Sequence, residues 1–335
     1  MTTASSARRP GGPGITRPAL NPKEAAQSLR TVRDMMRWAV SRLSLARVQP
    51  GHGTLSLDDE AILLVGWALH LPPDDTERWL EARLVPAERS FIAELVETRC
   101  TTRQPAAYLT GEAWLGGVCF ASDSRALVPR SMIAEALDSS LAHYLEHFPR
   151  GSADWPTQVL DLCTGGGSLA VLAALRFDQA QITAGDISAE ALSLATENVS
   201  SHGLSHRIRL VESDLFAALK GDRFDLIVCN PPYVNAQSMR ELPPEFQAEP
   251  ALALAGGHDG MDLIRQIIMQ ASAYLSDQGC LLLEIGHEAE HFERAFPKLA
   301  WTYLPVEAGE NMLVLIEAEA LPPPGQPTPV RTRRR

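Results

Sequence analysis

From Gln158 to Ile285 the chain repeats one pattern: a short, almost wholly apolar β-rich run, a turn carrying glycine or acid, then a helical stretch. The runs are Gln158–Leu162, Gln181–Gly185, Arg207–Val211, Phe224–Cys229 and Cys280–Ile285, and helical spacing falls at Ser168–Arg176, Ala189–His202 and Asp259–Leu275. Strands apolar on both faces need cover on both faces, which a parallel sheet wrapped by crossover helices supplies. The expected fold is therefore α/β, a doubly wound Rossmann-like sheet. The final runs, Trp301–Val306 and Asn311–Glu317, are joined by Glu-Ala-Gly-Glu and predict an antiparallel hairpin at its end.

Upstream the period is helical. Asn21 as cap, Pro22 in the first turn and Glu24 three residues on open a stretch in which Leu29, Val32, Met36, Ala39, Val40 and Leu43 share a face. Ser56 starts a second helix to His70, and others are expected around Glu77–Leu84 and Pro86–Thr98. These residues hold no His, Cys or paired-carboxylate constellation, so substrate docking falls to them by elimination. Residues 106–128 read as a β-hairpin set among glycines, and Ser131 caps a helix bearing Ile133, Ala136, Leu137, Leu141 and Leu145. The expected division is a helical docking domain over 21–104, a hairpin linker over 105–128 and a catalytic domain over 129–320. Tails at 1–20 and 321–335, rich in proline and arginine, are expected to be disordered.

The formal charge is −11, and removing the two arginine-bearing tails leaves −18 for residues 21–320. Such a body suits a basic protein partner, with weak RNA contact left to the C-terminal arginines; DNA binding is not expected. The five cysteines are odd in number and lack any C-x-x-C pair, so neither a disulfide framework nor a zinc site is predicted. The N-terminus has no apolar signal segment, no run is long enough to cross a membrane, and a cytoplasmic location is expected.

The first strand ends in Asp161-Leu-Cys-Thr164-Gly165-Gly-Gly167 and enters a helix, which lets a ligand approach the backbone. The next ends in Asp186-Ile187, with Asp186 nineteen residues after Gly167, near the offset of an acid that binds both ribose hydroxyls. Asp214 follows the third strand, placed to accept from an adenine amino group. A dinucleotide and S-adenosylmethionine compete for such a site. Asp161 opposes a pyrophosphate and suits the sulfonium and ammonium of S-adenosylmethionine, which is the favoured cofactor.

The fourth strand delivers Asn230-Pro231-Pro232-Tyr233 beside that site. The prolines fix the backbone, so the Asn230 side-chain oxygen and the Pro231 carbonyl make two acceptors in one pocket, with Tyr233 a flat wall. A planar NH₂ group is the natural guest. As its nitrogen attacks a methyl sulfonium it gains positive charge, which fixed acceptors stabilise without a general base. The plainer role for this motif is a strand-ending turn.

In these motifs the chain resembles the class I S-adenosylmethionine-dependent methyltransferases that act on glutamine side-chain amides, over roughly residues 24–317. The Asn-Pro-Pro-Tyr motif is shared with enzymes that methylate adenine. The discriminating features are the helical N-terminal region, Tyr108-Leu-Thr-Gly-Glu-Ala-Trp114, Leu127-Val-Pro-Arg-Ser131, Pro243-Pro-Glu-Phe246 with Glu249-Pro250, and Gly257-His-Asp-Gly-Met261. Cys163 and Ser131-Met-Ile-Ala are similar to the branch that modifies large-subunit ribosomal protein uL3 rather than to the release-factor branch. The resemblance implies a seven-stranded class I sheet, catalysis at Asn230, Pro231, Pro232 and Tyr233, and cofactor binding at Asp161, Thr164, Gly165, Gly167, Asp186, Ile187, Asp214 and Asn230, without a metal. The alternatives are, in order, a release-factor glutamine methyltransferase, a nucleic-acid adenine-N6 methyltransferase, and a non-catalytic ribosome-assembly factor.

Overall fold

The computed structural model describes residues 20–72, 76, 78–147, 155–307 and 309–323, so most of both expected tails lies outside the described residues. Among these residues the helices are α1 (Pro22–Ser28), α2 (Val32–Ala46), α3 (Leu57–Ala68), α4 (Pro86–Thr102), α5 (Ala106–Thr110), α6 (Ile133–Asp138), α7 (Ser140–His147), α8 (Ser168–Arg176), α9 (Ala189–Ser201), α10 (Ala236–Glu241), α11 (Pro244–Gln247), α12 (Asp262–Ala271) and α13 (Ala289–Ala295). The strands are β1 (Glu112–Leu115), β2 (Val118–Ala121), β3 (Gln158–Leu162), β4 (Gln181–Asp186), β5 (Ile208–Glu212), β6 (Phe224–Cys229), β7 (Leu275–Glu284), β8 (Thr302–Val306) and β9 (Gly309–Glu317). No helix among them is long and apolar enough to cross a membrane. Among the described residues two compact units form, one from residues 20–47 with Ala61–Thr101, the other from Val48–Glu60 with residues 102–323.

In the first unit the single helix expected from Asn21 is two. Thr31 Oγ1 accepts from Asp34 N at 3.1 Å while Asp34 Oδ2 accepts from Thr31 N at 3.0 Å, a reciprocal box that starts α2 afresh. Residues 78–84 are a short 3₁₀ turn and an antiparallel bridge from Arg83 to Thr31, not the helix expected there. The cause is the start of α2, whose unpaired N–H groups need acceptors: Val32 N donates to Ala82 O at 3.1 Å and Arg33 N to Leu80 O at 3.0 Å. Met35, Ala39, Leu43, Leu64, Ile92 and Val96 are fully buried as this unit's core.

The second unit carries a seven-stranded sheet of order β5-β4-β3-β6-β7-β9-β8, parallel through β7 and antiparallel at β9 and β8. Strand residues alternate between two cores: Val159, Leu226 and Leu282 pack with α6 and α8, and Leu160, Ile227 and Leu281 with α12 and Phe292. The strand order reverses between β3 and β6, the place where ligands bind in open α/β sheets. Register fixes what meets there. Leu162 pairs with Gly185 on one side and Cys229 on the other, so the glycine loop, Asp186 and Asn230 leave the sheet at one level.

Some boundaries differ from expectation. α12 ends at Ala271 and β7 starts at Leu275, because Leu275 pairs with Phe224 before a register shift. The helix after Ser131 breaks between Asp138 and Ser140, and α5 precedes the 112–121 hairpin. Helices α10, α11 and α13 had no counterpart in the sequence pattern.

Candidate active site

The carboxyl ends of β3, β4, β5 and β6 open into a cleft. Thr164, Gly165, Asp186, Ile187, Asp214, Asn230 and Pro232 line it, seven of the positions singled out by sequence. Asp161, Gly167, Pro231 and Tyr233 are not among its lining residues.

Gly165 and Gly167 are forced by geometry. Both have positive φ (56° and 80°), and a Cβ on Gly167 would stand 3.0 Å from Ala195 Cβ, so Gly167 seats α8 against α9 rather than facing a ligand. Cys163 also has positive φ, 62°, strained for a residue with a side chain, and it borders the cleft. Buried Asn198 ties this loop to the hairpin, accepting from Ala121 N at 2.8 Å and donating to Gly166 O at 2.8 Å.

The two acids at the loop are held differently. Asp186 takes an N–H on each carboxylate oxygen, from Gly165 at 2.8 Å and Ser188 at 2.9 Å, and these bonds fix its side chain at the cleft wall. Burial raises its carboxyl above the usual range against those bonds. Asp161 is fully buried beneath the loop; Thr164 Oγ1 donates to its Oδ2 at 2.5 Å, while Oδ1 has no hydrogen-bond partner. Burial pushes its carboxyl up to about 7. An orphaned buried carboxylate oxygen under a ligand loop is what a cationic group would complete. Asp214 is exposed at the rim, and Ile187, 51% exposed, presents an apolar face to the cleft. Together these residues fit an adenosyl ligand bearing positive charge.

Asn230 leaves β6 half-buried on the cleft wall, with Pro231 and Pro232 buried after it. The next residues are clamped: Val234 N donates to Leu254 O and Gly256 N to Val234 O, each at 2.9 Å. A Cβ on Gly256 would lie 2.7 Å from the Tyr233 backbone, so only glycine permits that approach.

The sequence pattern missed part of the lining. Val128 to Ser131 together with Pro250, Leu252 and Ala253 also line the cleft. They are joined through Glu249, whose fully buried carboxylate accepts from Arg130 at 2.5 and 2.7 Å and from Val128 N at 3.0 Å, with His52 Nε2 3.3 Å away. Burial alone would raise this carboxyl; the neighbouring His52 and the hydrogen bonds and charge of Arg130 outweigh it and hold it at about 2. The signal was present as Leu127-Val-Pro-Arg-Ser131 and Glu249-Pro250, but spacing alone does not pair segments so far apart.

Comparison with known proteins finds a family and close relatives. The model of the family described as "Methyltransferase small domain" matches residues 133–296. The chain is 51% identical over 298 residues to the ribosomal protein uL3 glutamine methyltransferase of Bordetella pertussis, covering 88% of this chain and 97% of that one. It is 48% identical to the protein of that name from Burkholderia pseudomallei (88% and 96% covered) and 43% identical to that of Neisseria gonorrhoeae (89% and 98% covered).

Proposed function

The chain belongs to the ribosomal protein uL3 glutamine methyltransferases, and from that premise we propose that it methylates the side-chain amide nitrogen of a glutamine in uL3, using S-adenosylmethionine. The observation that carries the proposal is that Asn230 lines the same cleft as Thr164, Gly165 and Asp186. S-adenosylmethionine, when bound, supplies a methyl group on a positively charged sulfur. The chain's own residues supply the rest.

Asp186 offers the ribose hydroxyls a carboxylate already fixed by two N–H bonds, and Ile187 gives the adenine an apolar face. Asp161 offers negative charge through the loop to the cationic end. Asn230 Oδ1 and the Pro231 carbonyl accept the two amide hydrogens and orient the nitrogen lone pair. As the C–N bond forms and the C–S bond breaks, positive charge grows on that nitrogen, and the same two acceptors stabilise it. The amide proton then leaves to water, so no general base is required. A basic substrate and an acidic body favour encounter. The helical unit is assigned to docking, and the arginines after residue 330, proposed to touch rRNA, lie outside the described residues.

The test is methyl transfer from labelled S-adenosylmethionine into extract of cells lacking this activity, with the acceptor peptide identified by mass spectrometry. Methylglutamine in uL3 is expected. Label in release factors would overturn the substrate, and label only in nucleic acid would overturn the chemistry assigned to Asn230. Asn230→Ala is expected to lower kcat by about 10²–10³-fold while cofactor affinity stays within about threefold.

A further inference from the structure

Glu284 is the last residue of β7 and belongs to none of the motifs that point to the cleft, yet it touches one of them. Its side chain is buried, with Oε1 accepting the Tyr233 hydroxyl at 3.1 Å and Oε2 accepting Ser131 Oγ at 2.6 Å and Met132 N at 3.0 Å. Burying a carboxylate is costly unless donors converge on it, and three converge here.

The tyrosine is closed in from other sides as well. A Cβ on Gly286 would lie 2.5 Å from Tyr233 Cε2 and 2.9 Å from Cζ, so glycine there lets the ring sit directly on the backbone. At the other end, a Cβ on Gly260 would stand 2.3 Å from the Tyr233 carbonyl oxygen. The ring thus has one available plane. A wall that merely excluded water would need no hydroxyl and no buried acid, since phenylalanine fills the same space.

We propose that Glu284 is a positioning residue for methyl transfer, fixing Tyr233 and with it the adjoining Asn230-Pro231-Pro232 segment at the cleft, with Ser131 and the Met132 N–H fixing Glu284 in turn. The proposal rests on the function given above. Ser131 also lines the cleft, so one carboxylate ties the cleft lining to the tyrosine. The effect is on alignment: misplacing a reacting group by about 1 Å costs about 10²-fold in rate.

The test is a double-mutant cycle in the full chain with uL3 and S-adenosylmethionine, measuring kcat, KM for each substrate, cofactor affinity by calorimetry and the thermal midpoint. Tyr233→Phe and Glu284→Leu are each expected to lower kcat by about tenfold or more, with cofactor affinity unchanged. Combined, they are expected to fall no more than about twofold below the lower single variant. Glu284→Gln is expected to stay within about threefold of the parent, because its amide oxygen still accepts from Ser131 and Met132 while its nitrogen donates to the tyrosine oxygen. Losses that multiply, or a Tyr233→Phe variant with full kcat, overturn the proposal. If Glu284→Leu does not fold, the Tyr233→Phe and Glu284→Gln results still decide. An active parent with an additive cycle defeats only the positioning role, whereas a parent that makes no methylglutamine defeats the function on which it rests.

Discussion

Replacing Asp161 by asparagine separates what this residue does for binding from what it does to stability. Its ordinary pKa of 3.8 rises to about 7 in the fold because the carboxyl is fully buried. The folded state therefore keeps its proton where the unfolded chain has lost it. Stability is full below 3.8, declines as pH rises from there to 7, and is level above. The distance from 3.8 to about 7 corresponds to about 4 kcal/mol, of which about 2.7 kcal/mol falls between pH 5 and 7. Asparagine has no such titration. Its amide carries a constant cost, on the order of 1–3 kcal/mol if a donor is left unpaired, but a constant cancels when two pH values are compared. Urea unfolding of both proteins without cofactor, at pH 5 and pH 8, should show the variant gaining on the parent by about 3 kcal/mol across that interval. Parallel pH profiles would refute the reasoning. Cofactor titration gives the other half: the parent should release about half a proton on binding at pH 7, approaching one near pH 6, and bind more tightly as pH rises to about 7, and the variant should do neither.

Glu249→Gln leaves Arg130 beside an uncharged partner and should cost about 3–5 kcal/mol by chemical denaturation at pH 7, the difference shrinking as pH falls from 4.5 toward 2. Gly167→Ala should destabilise by about 1–3 kcal/mol through its positive φ and the contact with Ala195, while cofactor affinity measured by calorimetry changes little. Asp186→Ala should weaken cofactor binding by about 10- to 100-fold, since it removes both the proposed ribose acceptor and the anchor of the Gly165 N–H.

What the sequence made legible follows from burial. β3 and β6 match their expected limits, Gln158–Leu162 and Phe224–Cys229, because strands covered on both faces are mostly apolar and end where a turn begins. Asn230 and Asp186 were legible because a parallel sheet delivers every strand end to one edge. Residues 78–84 were misread because their backbone is recruited by the start of α2, a contact that periodicity does not carry. Gly167 looked like a ligand residue because one pattern, glycine before a helix, serves both ligand approach and helix packing. Glu284 gave no local sign, since its donors come from Ser131 and Tyr233, more than fifty residues away in the chain.

The strand order also bears on how the chain is made. β9 is the last strand to be synthesised, yet it lies between β7 and β8. At about 5–20 residues per second, the interval from Glu284 to Gly309 lasts about 1–5 s. During it the apolar backbone edge of Leu281 to Leu283 has emerged without its partners Val314 to Ile316. A growing polypeptide in that window presents a ready template for foreign strands, and this stretch is where a ribosome-associated chaperone would have most to protect.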